Sequence, residues 1–206
     1  MHNEWGRKET AENNLYLSKS SMNTCEARHE DFCMWLNKNS ILNPKILDVG
    51  CGNGNILNSF SKNDIKFKKY VGIDLNSYCI ETTRRYKEVK NASFHHLTIE
   101  EVINNNLKKI EDLNICYFDS TFQMLENPSW VLKQLSNLNF DFFFLNRFYD
   151  WTSNKTENIT YQWNGMKENS YLWKFENDFF DFLTDYLVLD QAPDDRFLVL
   201  ERKKNV

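Results

Sequence analysis

Three glycines, Gly50, Gly52 and Gly54, follow the apolar run from Lys45 to Val49 and form a turn in which bare backbone can lie against a ligand. The helix that follows aims its free N–H groups at the same place. The spacing is G-x-G-x-G, whereas a dinucleotide fingerprint requires G-x-G-x-x-G, whose third glycine position would fall on Asn55. Two acids accompany the turn: Asp48 near the end of the first strand, and Asp74 closing the next one in YVGIDLN. A carboxylate at that second strand end can accept from two ribose hydroxyls at once. Together these features suit an adenosine-type ligand.

Further along, LNICYFDSTFQ places Asp119, Ser120 and Thr121 at the carboxyl end of a central strand, where open α/β sheets hold their ligands. The histidines are His2, His29, His95 and His96. His29 falls on a short helix, where it reads either as a solvated surface residue or as a proton carrier facing the site. His95 and His96 straddle the end of a strand and point to opposite faces, so at most one approaches a cofactor. No His/Cys/Asp/Glu spacing suggests a metal site.

The elements that must position these residues alternate along the chain. Polar residues run to about Ser21, and Glu26 to Leu36 then sets Phe32, Trp35 and Leu36 on one side of a helix. Strands are expected at Lys45–Val49, Tyr70–Ile73, Ala92–His96, Asn114–Phe118 and Phe140–Asn146, with helices near 54–62, 77–89 and 129–137. Such alternation implies right-handed crossovers and a parallel sheet covered on both faces. Tyr186–Leu189 and Phe197–Glu201, joined by a turn-like QAPDD, read as an antiparallel hairpin closing one edge. Residues 1–206 are expected to form one domain.

Composition limits the function. With 206 residues, 41% hydrophobic and 15% aromatic, the chain can bury a full core. A net charge of -4 disfavours nucleic acid as a partner. No apolar run reaches membrane-spanning length, and MHNEWGRKETAENN lacks the apolar core of a signal peptide, so a cytoplasmic protein without a membrane partner is expected. The five cysteines, odd in number and without C-x-x-C spacing, read as free thiols in a reducing compartment. Oligomeric state is left open.

LDVGCGNG followed about twenty residues later by VGIDLN resembles motifs I and II of the class I S-adenosylmethionine-dependent methyltransferases. The resemblance covers about Lys45 to Leu145 in order, and the terminal hairpin is similar to that family's reversed last strand. It implies a Rossmann-like α/β fold with a mostly parallel seven-stranded sheet, an antiparallel last strand, and helices on both faces. It also implies S-adenosyl-L-methionine as cofactor, with Gly50, Gly52 and Gly54 against its methionine part, Asp74 and Leu75 at the ribose, and Asp48 supporting the loop or the ammonium. Many members carry an acid after the third strand that contacts adenine. Here Leu97 and Thr98 stand there, so adenine would rely on backbone or hydroxyl contacts.

The run from Asp119 to Phe148 also resembles methyltransferase-like proteins of bacterial surface-polysaccharide clusters, with Gln123, Pro128 and Arg147 at matching positions. That resemblance implies a sugar or sugar-nucleotide hydroxyl as acceptor, with N- or carboxyl-methylation of another small metabolite, or a catalytically inactive cofactor-binding module, as alternatives. Asn127-Pro128-Ser129-Trp130 resembles the loop of amino-methylating enzymes but lies about two turns too late, and Pro128 is better placed as the first residue of a helix. Residues 1–40 are expected to cap the site, and 148–182 to form a substrate-facing insertion. In it, Trp163 and Tyr171 read equally as acceptor-facing rings or as packing, while Phe179 and Phe180 read as core. Methyl transfer is an in-line displacement in which alignment supplies most of the acceleration. A hydroxyl acceptor benefits from a base, and His29, Asp119 and, by position, Asp150 are the candidates.

Overall fold

The computed structural model of the chain describes Lys8 and residues 22–83, 89–105, 107–138, 140–147, 157–161, 170–175, 178–191 and 197–204. The polar stretch before Ser21 lies, apart from Lys8, outside them.

Helix α1 (Met22–Lys38) opens the described fold, followed by β1 (Lys45–Val49), α2 (Ile56–Lys62), β2 (Lys69–Asp74), α3 (Ser77–Thr82), β3 (Ala92–His96) and α4 (Ile99–Asn105). Then come β4 (Ile115–Asp119), α5 (Pro128–Ser136), β5 (Phe142–Asn146), β6 (Glu157–Tyr161), β7 (Ser170–Lys174), β8 (Tyr186–Gln191) and β9 (Phe197–Arg202). Seven strands form one sheet in the order β3-β2-β1-β4-β5-β9-β8, and β6 and β7 form a separate two-stranded ribbon. The first five strands of the sheet pair in parallel, while β9 runs antiparallel to both β5 and β8. This is the expected architecture, with two additions. Helix α4 was not anticipated, and the insertion after β5 contains a β-ribbon.

The central strands are continuous apolar runs because both of their faces are buried. Period-two alternation sends Leu47, Val49, Cys116, Phe118, Phe143 and Leu145 into one core with α4 and α5. Ile46, Tyr70, Ile115, Tyr117 and Phe144 go into another core with α1 and α2. Three of the helix starts have a local cause. Asn76 accepts from the backbone N–H groups of Tyr78 and Cys79 at the head of α3. Thr98 and Glu101 exchange side-chain and backbone hydrogen bonds as a capping box for α4. Asn127 caps α5, with Pro128 at the first helical position as expected.

Phe32, Cys33, Trp35 and Leu36 are buried and fasten α1 to the sheet. Phe32 stacks on Tyr117 at 4.4 Å between ring centroids and contacts Phe144 at 4.9 Å. Cys33, Cys51, Cys79 and Cys116 are free and buried, and burial pushes the thiols of Cys33 and Cys79 up to about 12. Phe32→Ala should therefore destabilise the protein by about 3–5 kcal/mol, through lost transfer free energy and the cavity left behind. Chemical denaturation checks this, and a loss near zero would show that α1 is not part of the cooperative core.

Candidate active site

The strand order reverses beside β1 and β4, whose carboxyl ends lie side by side with Val49 paired to Phe118. Ligands of open α/β sheets bind at such a point. Gly50 and Cys51 both donate to the carbonyl of Ile73, at 2.9 and 3.0 Å, which folds the glycine turn over the end of β2. Gly50 has φ +75° and sits against the β4 loop, where a Cβ would lie 2.2 Å from Thr121 Oγ1. At Gly52, with φ +51°, an added Cβ would meet nothing within 4 Å. One glycine closes the turn against its neighbour, and the other leaves backbone facing open space.

Asp74 joins this turn to β2. Its Oδ2 accepts from the Gly52 N–H and its Oδ1 from the Asn76 N–H, both at 2.8 Å. Burial raises its pKa, and those backbone donors oppose the shift. Each oxygen keeps a second lone pair for a ligand hydroxyl. Leu97 donates its N–H to the Asp74 carbonyl, and His96 Nε2 lies 3.0 Å from the Leu75 carbonyl, so Leu75 and Leu97 gather beside Asp74. Thr98 stands next to them, with its N–H and hydroxyl engaged in the α4 cap. His95, whose pKa is lowered by burial and by Lys109, does not share the His96 contact.

Asp48, 2% exposed, accepts from the Tyr70 hydroxyl on the face that carries α1. Desolvation, reinforced by Asp119 and Asp74 and opposed by the Tyr70 hydrogen bond, raises its pKa to about 7.

The ends of β4 and β5 carry a second group of polar residues. Ser120 donates its N–H to the Asn146 carbonyl at 3.0 Å, and Thr121 donates its hydroxyl to the Asp119 carbonyl at 2.9 Å. Asn146 Nδ2 donates to Asp119 Oδ1 at 3.1 Å and to the Tyr117 hydroxyl at 3.2 Å. His29 reaches this group from α1, with Nδ1 3.0 Å from the Tyr117 hydroxyl and 3.9 Å from Asp119 Oδ2. It is 8% exposed, so the solvated-surface reading does not hold. It lies one turn before Phe32, on the same helix face that packs against the sheet.

Gln123 is 3% exposed; its Nε2 donates to the Arg147 carbonyl at 3.4 Å, and its Oε1 has no partner among the described residues. Ser120 and Arg147 both take left-handed φ values of +53°, an uncommon conformation for non-glycine residues and one that clusters at functional sites. The insertion is fixed to this same turn. Trp173 donates from its indole to the Leu125 carbonyl at 2.9 Å, and Phe175 stacks on Phe122. Phe180 is buried and Phe179 packs against the same core, as expected. Trp163 and Asp150 lie outside the described residues, and Tyr171 is placed in β7 opposite Thr160.

Sequence reasoning missed Tyr117 and Asn146. The available signal was a polar residue within each of the apolar runs ICYFD and FFFLN, since a buried polar group needs a partner. It also passed over Glu100, in the first turn of α4, whose Oε1 is buried without a hydrogen-bond partner among the described residues. Among the described residues no cluster of three His, Cys, Asp or Glu could hold a metal ion, and no helix is long and apolar enough to cross a membrane.

A family model described as a methyltransferase domain matches residues 42–178. The chain belongs to that family. The matched span runs from just before β1 through the β6–β7 ribbon, so both polar groups at the strand ends lie within the methyltransferase domain apart from His29. In sequence, no curated protein matches this methyltransferase. In fold it is similar to a Burkholderia thailandensis 1,6-didemethyltoxoflavin-N1-methyltransferase bound to 1,6-didemethyltoxoflavin and S-adenosylhomocysteine. That similarity has TM-score 0.62 and 11% identity, over 95% of this chain and 88% of the other. A Clostridium acetobutylicum S-adenosylmethionine-dependent methyltransferase aligns with TM-score 0.63 and 11% identity, over 94% and 99% of the two chains. An amino pentose methyltransferase from Micromonospora echinaspora, with S-adenosylmethionine bound, aligns with TM-score 0.60 and 12% identity, over 87% and 92%.

The state of Asp48 gives the methyltransferase a definite pH dependence. With a folded pKa raised from 3.8 to about 7, the folded chain holds a proton that the unfolded chain has released, so stability should fall as pH rises through that window. Asp48→Asn keeps an acceptor for Tyr70 and removes the titration. The stability gain of the variant over the parent should grow from pH 4 to pH 8 in denaturant unfolding, and a constant difference would contradict the assignment.

Proposed function

We propose that this methyltransferase uses S-adenosyl-L-methionine to methylate a small polar acceptor, with a sugar or sugar-nucleotide hydroxyl as the favoured class. The observation that carries the reading is the join of Asp74 to the open face of Gly52: a carboxylate with free lone pairs beside backbone that no side chain covers. That pairing fits an adenosine-type donor. When bound, S-adenosylmethionine supplies an electrophilic methyl group on a sulfonium.

The chain's own residues divide the remaining work. Asp74, with Leu75 beside it, would hold the ribose hydroxyls, and the Gly50 to Gly54 backbone would take the methionine part, with Asp48 beneath the strand end. Leu97 and Thr98 would border adenine. Asp119, at the end of β4, and His29, in the middle of α1, would face the acceptor, and the Gln123 Oε1 can accept from an acceptor hydroxyl or amine. Under this reading Arg147, Trp163 and Tyr171 would serve the acceptor, residues 1–40 would supply a cap, and 148–182 a substrate-facing insertion. The solved methyltransferases with a pentose or a heterocyclic small molecule as substrate support a small acceptor. Nucleic acid is not the proposed substrate, and a cytoplasmic location is the expected one.

Incubation with isotope-labelled S-adenosylmethionine and a panel of sugar nucleotides, hydroxy acids and amines, read by mass spectrometry, tests the acceptor class. A methyl increment on a sugar hydroxyl supports it, and one confined to amines or carboxylates overturns it. Asp74→Ala should weaken S-adenosylhomocysteine binding by roughly 10-fold or more, from loss of hydrogen bonds to a charged group. Unchanged affinity in calorimetry would remove the ribose assignment.

A further inference from the structure

His29, Tyr117, Asn146 and Asp119 form a buried polar chain across α1, β4 and β5 in which each proton position follows from the last. Asn146 turns one side-chain amide group toward both Asp119 Oδ1, at 3.1 Å, and the Tyr117 oxygen, at 3.2 Å. A carboxylate accepts, so the group facing it is the NH2, and its second hydrogen goes to the tyrosine oxygen. That oxygen is therefore an acceptor toward Asn146, and its own hydrogen needs another partner. His29 Nδ1, at 3.0 Å, is that partner. The phenol keeps its proton through the neutral range, because burial, helped by Asp119 and Asp48, pushes its pKa well up.

We infer that Tyr117 is a positioning residue: steadied by Asn146, it donates to Nδ1 of His29, fixes that ring as the neutral Nε2–H tautomer, and leaves the Asp119 carboxylate to receive the acceptor's proton. The inference rests on the reading of the β4 and β5 ends as the acceptor site. In that site a hydroxyl that gains a methyl group loses its proton to an Asp119 oxygen, the new O–C bond replaces the O–H bond, and the donor departs as a neutral thioether. His29 offers an N–H at Nε2, so it binds a lone pair and does not abstract a proton.

The groups around the ring pull in both directions. Asp119, 3.9 Å from Nδ1, favours a protonated ring. Glu30 and Asp31 adjoin His29 on α1, and Glu30 is paired with Lys62 of α2 at 3.2 Å. Cys33 of α1 and Asp48 of β1 face Tyr117. Protonating Nδ1 would set two donors against each other and leave a buried hydroxyl hydrogen unpaired, so Tyr117 opposes the pull of Asp119.

Long-range proton–nitrogen correlation on the full chain with isotope-labelled histidine reads the tautomer, with His29 assigned by its loss in His29→Gln. The expected result at neutral pH is a bare Nδ1 and a protonated Nε2. A protonated Nδ1 overturns the inference, and this measurement needs no variant of Tyr117. In Tyr117→Phe the titration of His29 should rise by about one unit or more, because the donor that favours the neutral ring is gone. An unmoved titration in a variant that still folds overturns it as well. Titrating the labelled protein with S-adenosylhomocysteine separates the two readings: no binding with the Nε2–H tautomer in place counts against the proposed function alone.

Discussion

The contact between Gly50 and Thr121 is the constraint on which the site depends. Parallel pairing of β1 with β4 brings the loops after these strands level with each other, and they meet so closely that a Cβ on Gly50 would overlap the Thr121 side chain. Gly50 also needs a left-handed backbone, so its lack of a side chain answers two demands at once. Because the loops touch there, the glycine turn cannot shift without moving Ser120 and Thr121. Under the proposed function, the donor side and the acceptor side of the site would thereby be held in one frame. That suits a reaction whose rate comes mainly from alignment.

The two faces of the sheet serve this frame differently. On the α4 and α5 face the core is apolar, and Phe122, Phe175, Phe179 and Phe180 fasten the ribbon to the turn that carries Gln123. The segment that, under the proposed function, would help choose the acceptor is thus anchored at the carboxyl end of β4. On the α1 face the core admits polar groups, and it does so in a linked pair, Asp48 with Tyr70, and a linked trio, Tyr117 with His29 and Asn146. Each buried hydroxyl in these groups has its hydrogen placed, which is the condition under which a polar core group adds definition without an unmet desolvation cost.

What the sequence disclosed follows the same division. β1 and β3 carry the expected ends, and the other parallel strands agree to within one or two residues, because continuous apolar runs bounded by turn residues have few alternatives. The glycine turn and Asp74 were legible because backbone conformation and strand ends are local properties. Helix α4 is hard to read from the sequence because its capping box, Thr98 to Glu101, precedes only a short apolar stretch. The burial of His29 is not legible in the sequence because it is set by what packs on the helix, and Tyr117 lies 88 positions away. A tyrosine in ICYFD reads as one more core ring until its partners across β5 and α1 are known.

Electrostatics then ties the buried network to the donor. Asp48 feels both Asp74 and Asp119, and their repulsion adds to burial in holding its pKa up. Under the proposed function the donor brings a sulfonium and an ammonium against a single carboxylate, a net positive charge, whereas the product is neutral after the methyl group leaves. A cation nearby favours ionised Asp48, and by reciprocity ionised Asp48 favours the cation. Under that reading Asp48, with Asp74 and Asp119 near it, would favour the charged donor over the spent one. The Gly50–Thr121 contact holds the loops that carry this preference at the point where the methyl group must be aligned.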